Sequence, residues 1–230
     1  MIWIELLGPS GIGKSFIFDK VVQSGVDIGM ATNKANNALL HRVLRKIQRR
    51  KRQRDFNSLI LEHTVRDQHT VQTFMQGLTN YSQNPIVQLN MCDYFHYKLR
   101  DFHFQKSNLS TDGVFFSEDG ILHLNYGIDV DNIEMIHMPD YVIGLTASPE
   151  YIVNNRLQRI KSGKANLIER EFSENELLNN VFPLNFEVYN KKTCVIRNFL
   201  RERYFDINVE ATPLPKIITE IDEILRCIKR

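Results

Sequence analysis

Gly8-Pro9-Ser10-Gly11-Ile12-Gly13-Lys14-Ser15 is the run with the most specific chemistry in the chain, and it fits G-x-x-x-x-G-K-[ST] at every defined position. The glycines let the backbone curl so that successive N–H groups face one anion, and a helix beginning just beyond adds positive potential. The Lys14 ammonium can reach β- and γ-phosphates, and the Ser15 hydroxyl can ligate Mg²⁺. Together these residues form a cradle for a nucleoside triphosphate, ATP or GTP. The run follows an apolar strand-like segment and precedes a helical one, which is the context that a phosphate cradle requires.

Two further groups of residues could act on such a ligand. Val114-Phe115-Phe116-Ser117 reads as a strand, and it ends in Glu118 and Asp119. Carboxyl ends of parallel strands face the ligand crevice, so one carboxylate could organise Mg²⁺ while the other accepts a proton from an attacking hydroxyl. The plain alternative is a solvated Glu-Asp-Gly turn. Arg156, Arg159, Lys161 and Lys164 gather on and after a helix opened by Ser148-Pro149. Arg156 and Arg159 share a helix face, and guanidinium groups can stabilise charge on a transferring phosphoryl group. A basic helix end that answers the macrodipole is the structural alternative.

These residues need a scaffold that brings strand ends together. Strand-like runs are expected at Ile2–Leu7, Val26–Met30, Gly113–Ser117, Tyr141–Leu145 and Tyr204–Val209. Helical segments separate them, which predicts one α/β domain over residues 1–230. Its expected core is a five-stranded, mainly parallel sheet with helices on both faces. Residues 33–108 read as a helical insertion with breaks at Gly77 and Asn84-Pro85. Ser173 and Glu176 make a capping box for a helix broken near Pro183. After Thr212-Pro213, Ile217, Ile218, Ile221, Ile224, Leu225 and Ile228 form one apolar stripe that predicts docking on the sheet.

The succession of phosphate loop, acidic strand end, arginine-bearing helix and closing strand resembles the P-loop small-molecule kinases, broadly the nucleoside and nucleotide monophosphate kinases. Phe115 to Gly120 looks like the acidic third-strand motif of thymidylate-kinase-like proteins. Tyr141 to Lys164 looks like that family's lid, which implies a lid at about residues 149–166, and Tyr204 to Ile224 looks like the closing strand and helix whose loop flanks the adenine. The resemblance implies a P-loop NTPase fold and Mg²⁺-dependent transfer of the ATP γ-phosphoryl group. The implied acceptor is a small molecule: a nucleoside, nucleotide or carbohydrate hydroxyl or phosphate. In this picture Lys14, Glu118, Asp119, Arg156 and Arg159 act in catalysis, Gly8 to Ser15 hold the nucleotide, and Ser15 with Glu118 hold the metal. The Asp-Arg-Tyr and Glu-Arg-Ser acceptor signatures are absent, and Asp119 is followed by Gly120, so the resemblance covers the donor side.

Arg42 to Arg54 holds eight Lys or Arg residues in thirteen positions. The run suits the outer face of an amphipathic helix, and it also motivates a second reading, a nucleic-acid-directed NTPase or polynucleotide end kinase. The intact Gly-Lys-Ser ending favours a triphosphate donor over a sulfonucleotide. A nucleotide sensor without catalysis also fits. Tyr94 to Phe104 carries five aromatics, read as helical core packing. The seven histidines show no metal spacing, so no zinc site is expected. A net charge of +2 in 230 residues commits the chain to no polyanion, and no apolar run is long enough to span a bilayer. Cys92, Cys194 and Cys227 are widely spaced, which fits a reducing, cytoplasmic setting.

Overall fold

The computed structural model describes residues 1–24, 64–108, 114–164, 169 and 172–228. Strand β1 (Ile2–Leu7) is apolar along its length except for Glu5, and it pairs in parallel with β2 (Val114–Glu118) on one side and β3 (Tyr141–Thr146) on the other. Strand β4 (Tyr204–Asn208) extends the sheet beyond β3, giving the order β2-β1-β3-β4 with every pair parallel. The protein is therefore α/β, with four strands among the described residues where five were expected. The segment Val26–Met30, expected as a strand, lies outside the described residues, as do residues 33–63 of the insertion and the basic run Arg42–Arg54.

The chain leaves β1 for β2 on one flank and then crosses to β3 on the other. Such a reversal opens a crevice at the carboxyl ends of the strands, where parallel sheets bind their ligands. Gly8, Asp119 and Ser148 all follow shortly on those ends.

Alternation along β1 divides the core. Ile4 and Leu6 face α1 (Lys14–Gln23) and α8 (Leu214–Ile228), packing with Ile17, Val21, Ile217, Ile221 and Leu225. The apolar stripe of α8 thus docks on the sheet, as its spacing predicted. Burying each such aliphatic side chain contributes roughly 1.5–3 kcal/mol. On the opposite face, Leu7 and Val142 meet Ile196 and Leu200 of α7 (Phe182–Leu200), and Trp3 and Phe115 meet the insertion helices.

Helices α2 (Val65–Tyr81) and α3 (Pro85–Asn108) form the described part of the insertion. Gly77 does not break α2. Its missing side chain lets the helix backbone press against Tyr126 and Gly127, where any Cβ would collide. The break falls instead at Asn84, whose Oδ1 accepts the Ile86 N–H at 2.9 Å and so caps α3. Within Tyr94 to Phe104, Phe95 stacks on Phe74 at 3.9 Å and Phe102 packs on Trp3 at 4.7 Å, whereas Tyr94 and Tyr97 stay exposed.

Short helix α4 (Ile121–Leu124) follows β2, and α5 (Pro149–Lys161) follows β3. The Ser173 and Glu176 capping box starts α6 (Glu174–Glu176). Pro183 breaks nothing: the backbone widens into a π turn at Leu177–Val181, and the proline lies in the first turn of α7, where its missing N–H is harmless.

Candidate functional site

The loop from β1 to α1 takes its shape from glycine. Gly11 and Gly13 adopt φ of 93° and 95°, in the left-handed region that L side chains avoid. Gly11 also has no room for a Cβ, which would fall 2.5 Å from Arg156 Cγ. Lys14, the first residue of α1, is only 6% exposed. Its Nζ donates to the carbonyls of Gly8 at 2.7 Å and Pro9 at 3.3 Å, and lies 3.2 Å from Asp119 Oδ1. Burial lowers the lysine pKa, and the Asp119 charge opposes that shift.

Both predicted carboxylates reach this loop. Burial raises the Glu118 pKa, and the nearby Ser15 hydroxyl opposes that shift. Glu118 Oε2 is buried with no hydrogen bond among the described residues. Asp119 has φ of 45°, an uncommon conformation for a non-glycine residue that turns its carboxylate back to Lys14. Burial alone would raise the Asp119 carboxyl, but His123, Lys14 and Lys98 hold it at about 2. Burial pushes His123 down to about 3, so near neutral pH its ring is uncharged and the lysines supply the positive field. His123 Nε2 stands 3.4 Å from Asp119 Oδ1, and Lys98 donates to the Glu118 carbonyl at 3.0 Å.

A buried acid supports this strand end from behind. Glu5, fully buried on the face between Trp3 and Leu7, accepts the N–H groups of His123 at 2.8 Å and Leu122 at 3.3 Å. Gly120 is needed because the Glu5 carboxylate fills the place of any side chain there. Lys192, also buried, donates to the carbonyls of His123 at 2.8 Å and Leu122 at 3.0 Å. Burial pushes Glu5 up to about 7 and Lys192 down to about 7, each shift opposed by the other's charge. The turn carrying Asp119 is thus held at both its N–H and its C=O groups.

Helix α5 brings the two arginines beside the loop in different ways. Arg156 is 3% exposed; its stem covers Gly11, its Nε donates to Glu169 Oε1 at 2.9 Å, and its guanidinium stacks on Phe182 at 3.9 Å. Arg159 donates to Glu169 Oε2 at 2.7 Å but stays partly exposed, and it lines an open cleft of about 700 Å³. Gly11 to Gly13, Tyr151, Asn155 and Leu214 line the same cleft. Its far wall is the turn from β4 to α8, tied to α5 where the Ser148 N–H donates to Glu210 Oε2 at 2.8 Å. Lys164 lines the cleft and Lys161 points to solvent.

The structure thus gathers every sequence-predicted site residue at one edge of the sheet. It adds Glu5, Lys98, His123, Glu169 and Lys192, which sequence reading missed. Glu5 had a local signal, a lone carboxylate in an otherwise apolar strand. Lys98 and Lys192 reach the site from distant segments, whereas His123 stands four residues after Asp119 and Glu169 ten after Arg159. The chain matches no protein-family model, and no curated protein is significantly similar to it.

Proposed function

We propose that this chain has a P-loop NTPase fold and is a kinase that transfers the γ-phosphoryl group of ATP to a small-molecule hydroxyl or phosphate. The observation that carries this reading is the convergence of Lys14 and Ser15 with Glu118 and Asp119 at the switch point of the sheet. The residues suit Mg-ATP: a glycine loop in left-handed turns, a buried ammonium, and a carboxylate oxygen buried without a partner beside the Ser15 hydroxyl. Mg²⁺ would be held by Ser15 and Glu118, where it supplies charge neutralisation between the phosphates.

Lys14 neutralises the β- and γ-phosphates once it exchanges its carbonyl and Asp119 contacts for phosphate oxygens. That exchange takes one cation from Asp119 and raises its basicity, suiting it to accept the acceptor's proton. His123, uncharged and adjacent, keeps the aspartate oriented. Arg159 acts on charge that develops during transfer, and Arg156 with Glu169 fixes the helix that presents it. The cleft beside Gly11 to Gly13, with Tyr151 and Leu214 as apolar walls, takes the nucleoside. Among the described residues no helix is long and apolar enough to cross a membrane; the cytoplasmic setting is part of this proposal, and three widely spaced free cysteines support it. A metabolite screen for acceptor-dependent ADP release from Mg-ATP tests this function. Release with a nucleoside, nucleotide or sugar is the expected result, and ATP binding without turnover on any acceptor would reduce the protein to a nucleotide sensor.

A further inference from the structure

Three side chains from three elements meet near the amino-terminal ends of the strands, away from the phosphate loop. Asp67 lies in the first turn of α2, His103 near the end of α3, and His137 in the segment leading into β3. Asp67 Oδ1 is 2.7 Å from His103 Nε2 and 2.6 Å from His137 Nε2, and the three atoms lie within 4.8 Å of one another. The partners stand 36 and 70 residues from Asp67, which is why sequence spacing predicted no zinc site.

The cluster is supported from outside. Asp67 Oδ2 accepts the Thr64 N–H at 3.0 Å and the Thr64 hydroxyl at 2.8 Å, so the carboxylate is fixed in orientation. The His137 backbone N–H donates to Thr70 Oγ1 at 2.9 Å, and its ring packs on Phe102 at 4.8 Å. The two imidazoles stand edge to face at 87° with both Nε2 atoms turned to one oxygen. Asp67 and His137 are buried, and His103 is 26% exposed, which gives the cluster a route to solvent.

We propose that Asp67, His103 and His137 bind a divalent transition-metal ion of the Zn²⁺ and Co²⁺ class, at a site separate from the phosphate loop. Two imidazoles and a carboxylate, the carboxylate oriented by Thr64 through its second oxygen, form the donor set such ions prefer, and Mg²⁺ does not. Metal–donor distances of about 2.0–2.2 Å in a tetrahedral site separate the donors by roughly 3.3–3.5 Å, so each histidine draws back by under about 1 Å. The ion takes the place of hydrogen on the two Nε2 atoms, and each ring then carries its hydrogen on Nδ1. Lys106 is a nearby positive charge that opposes the ion. The bound ion cross-braces α2, α3 and the lead into β3.

The test is titration of the chelator-treated full chain with Co²⁺, followed by its visible absorption, then competition with Zn²⁺ and thermal melting. One Co²⁺ per chain, displaced by Zn²⁺, and a melting temperature raised by either ion are expected. His103→Ala and His103→Gln should each weaken Co²⁺ binding by more than the about 10–100-fold typical of losing an outer-shell partner. Their circular dichroism and ATP affinity should not change. No saturable uptake by the wild type, or uptake that survives in both His103 variants and in His137→Ala, would overturn the proposal. A melting temperature that falls in His103→Ala while the wild type takes up no ion would identify a hydrogen-bonded knot and overturn it equally.

Discussion

The two ends of the sheet treat buried polar groups in opposite ways. At the amino-terminal end, each Asp67 oxygen has two hydrogen-bonding partners, and Asp140 Oδ2 accepts the Trp3 N–H at 2.7 Å. At the carboxyl end, Glu118 Oε2 is buried without a hydrogen bond, and Gly11, Gly13 and Asp119 sit in left-handed backbone. Strained conformations of this kind cost about 1–3 kcal/mol each for non-glycine residues and persist where surrounding structure enforces them. Here the enforcement is visible in Glu5 and Lys192 holding the turn after Asp119. Paired groups brace the fold, and unpaired groups held in place are ready for a ligand.

The largest test of this contrast is Asp119→Asn, which keeps the shape and removes the charge. Turnover should fall by about a thousandfold, within the range of losing a positioned base, while ATP affinity changes several-fold. Unchanged turnover would show that the strained aspartate serves only to pair with Lys14.

Arg156 and Arg159 sharpen the comparison inside one helix. Arg156→Ala exposes the fully buried Glu169 carboxylate to loss of a partner and should cost about 3 kcal/mol of stability in chemical denaturation. Arg159→Ala also takes a partner from Glu169 and should cost a comparable amount of stability, and it should in addition lower kcat roughly a hundredfold, with a smaller change in ATP dissociation constant. Equal losses of affinity and kcat at Arg159 would make it a ground-state phosphate ligand.

The smallest expected effect concerns Glu5. Its folded pKa of about 7 lies above the unfolded value near 4.5, so its own contribution to stability is greatest below about pH 4.5 and falls as pH rises toward 7. Glu5→Gln should remove about 1–3 kcal/mol of that pH-dependent loss, read from denaturation midpoints across the window. An identical pH profile in the variant would mean that Glu5 does not titrate there.

What the sequence made legible was local chemistry. Gly8 to Ser15 could be read because loop, lysine and hydroxyl are consecutive, and Glu118 with Asp119 because they end an apolar run. Four of the five expected strands were found where apolar runs are bounded by turns. Gly77 and Pro183 misled because glycine serves close backbone approach as well as breaks, and proline is tolerated in a first helical turn. Lys98, Lys192 and the Asp67 cluster are products of tertiary packing, invisible to spacing along the chain, whereas His123 stands only four residues after Asp119. Arg156 and Arg159 look equivalent in sequence, and only burial separates them.

The central claim, that Gly8 to Ser15 hold a triphosphate, is tested most directly by calorimetric titration of Mg-ATP into the wild type and Lys14→Ala. One site per chain is expected in the wild type, with affinity reduced at least about a hundredfold in a variant whose circular dichroism is unchanged, because on this proposal one buried ammonium would face the β- and γ-phosphates. Equal Mg-ATP affinity in both proteins, or no binding to the wild type, would contradict the account.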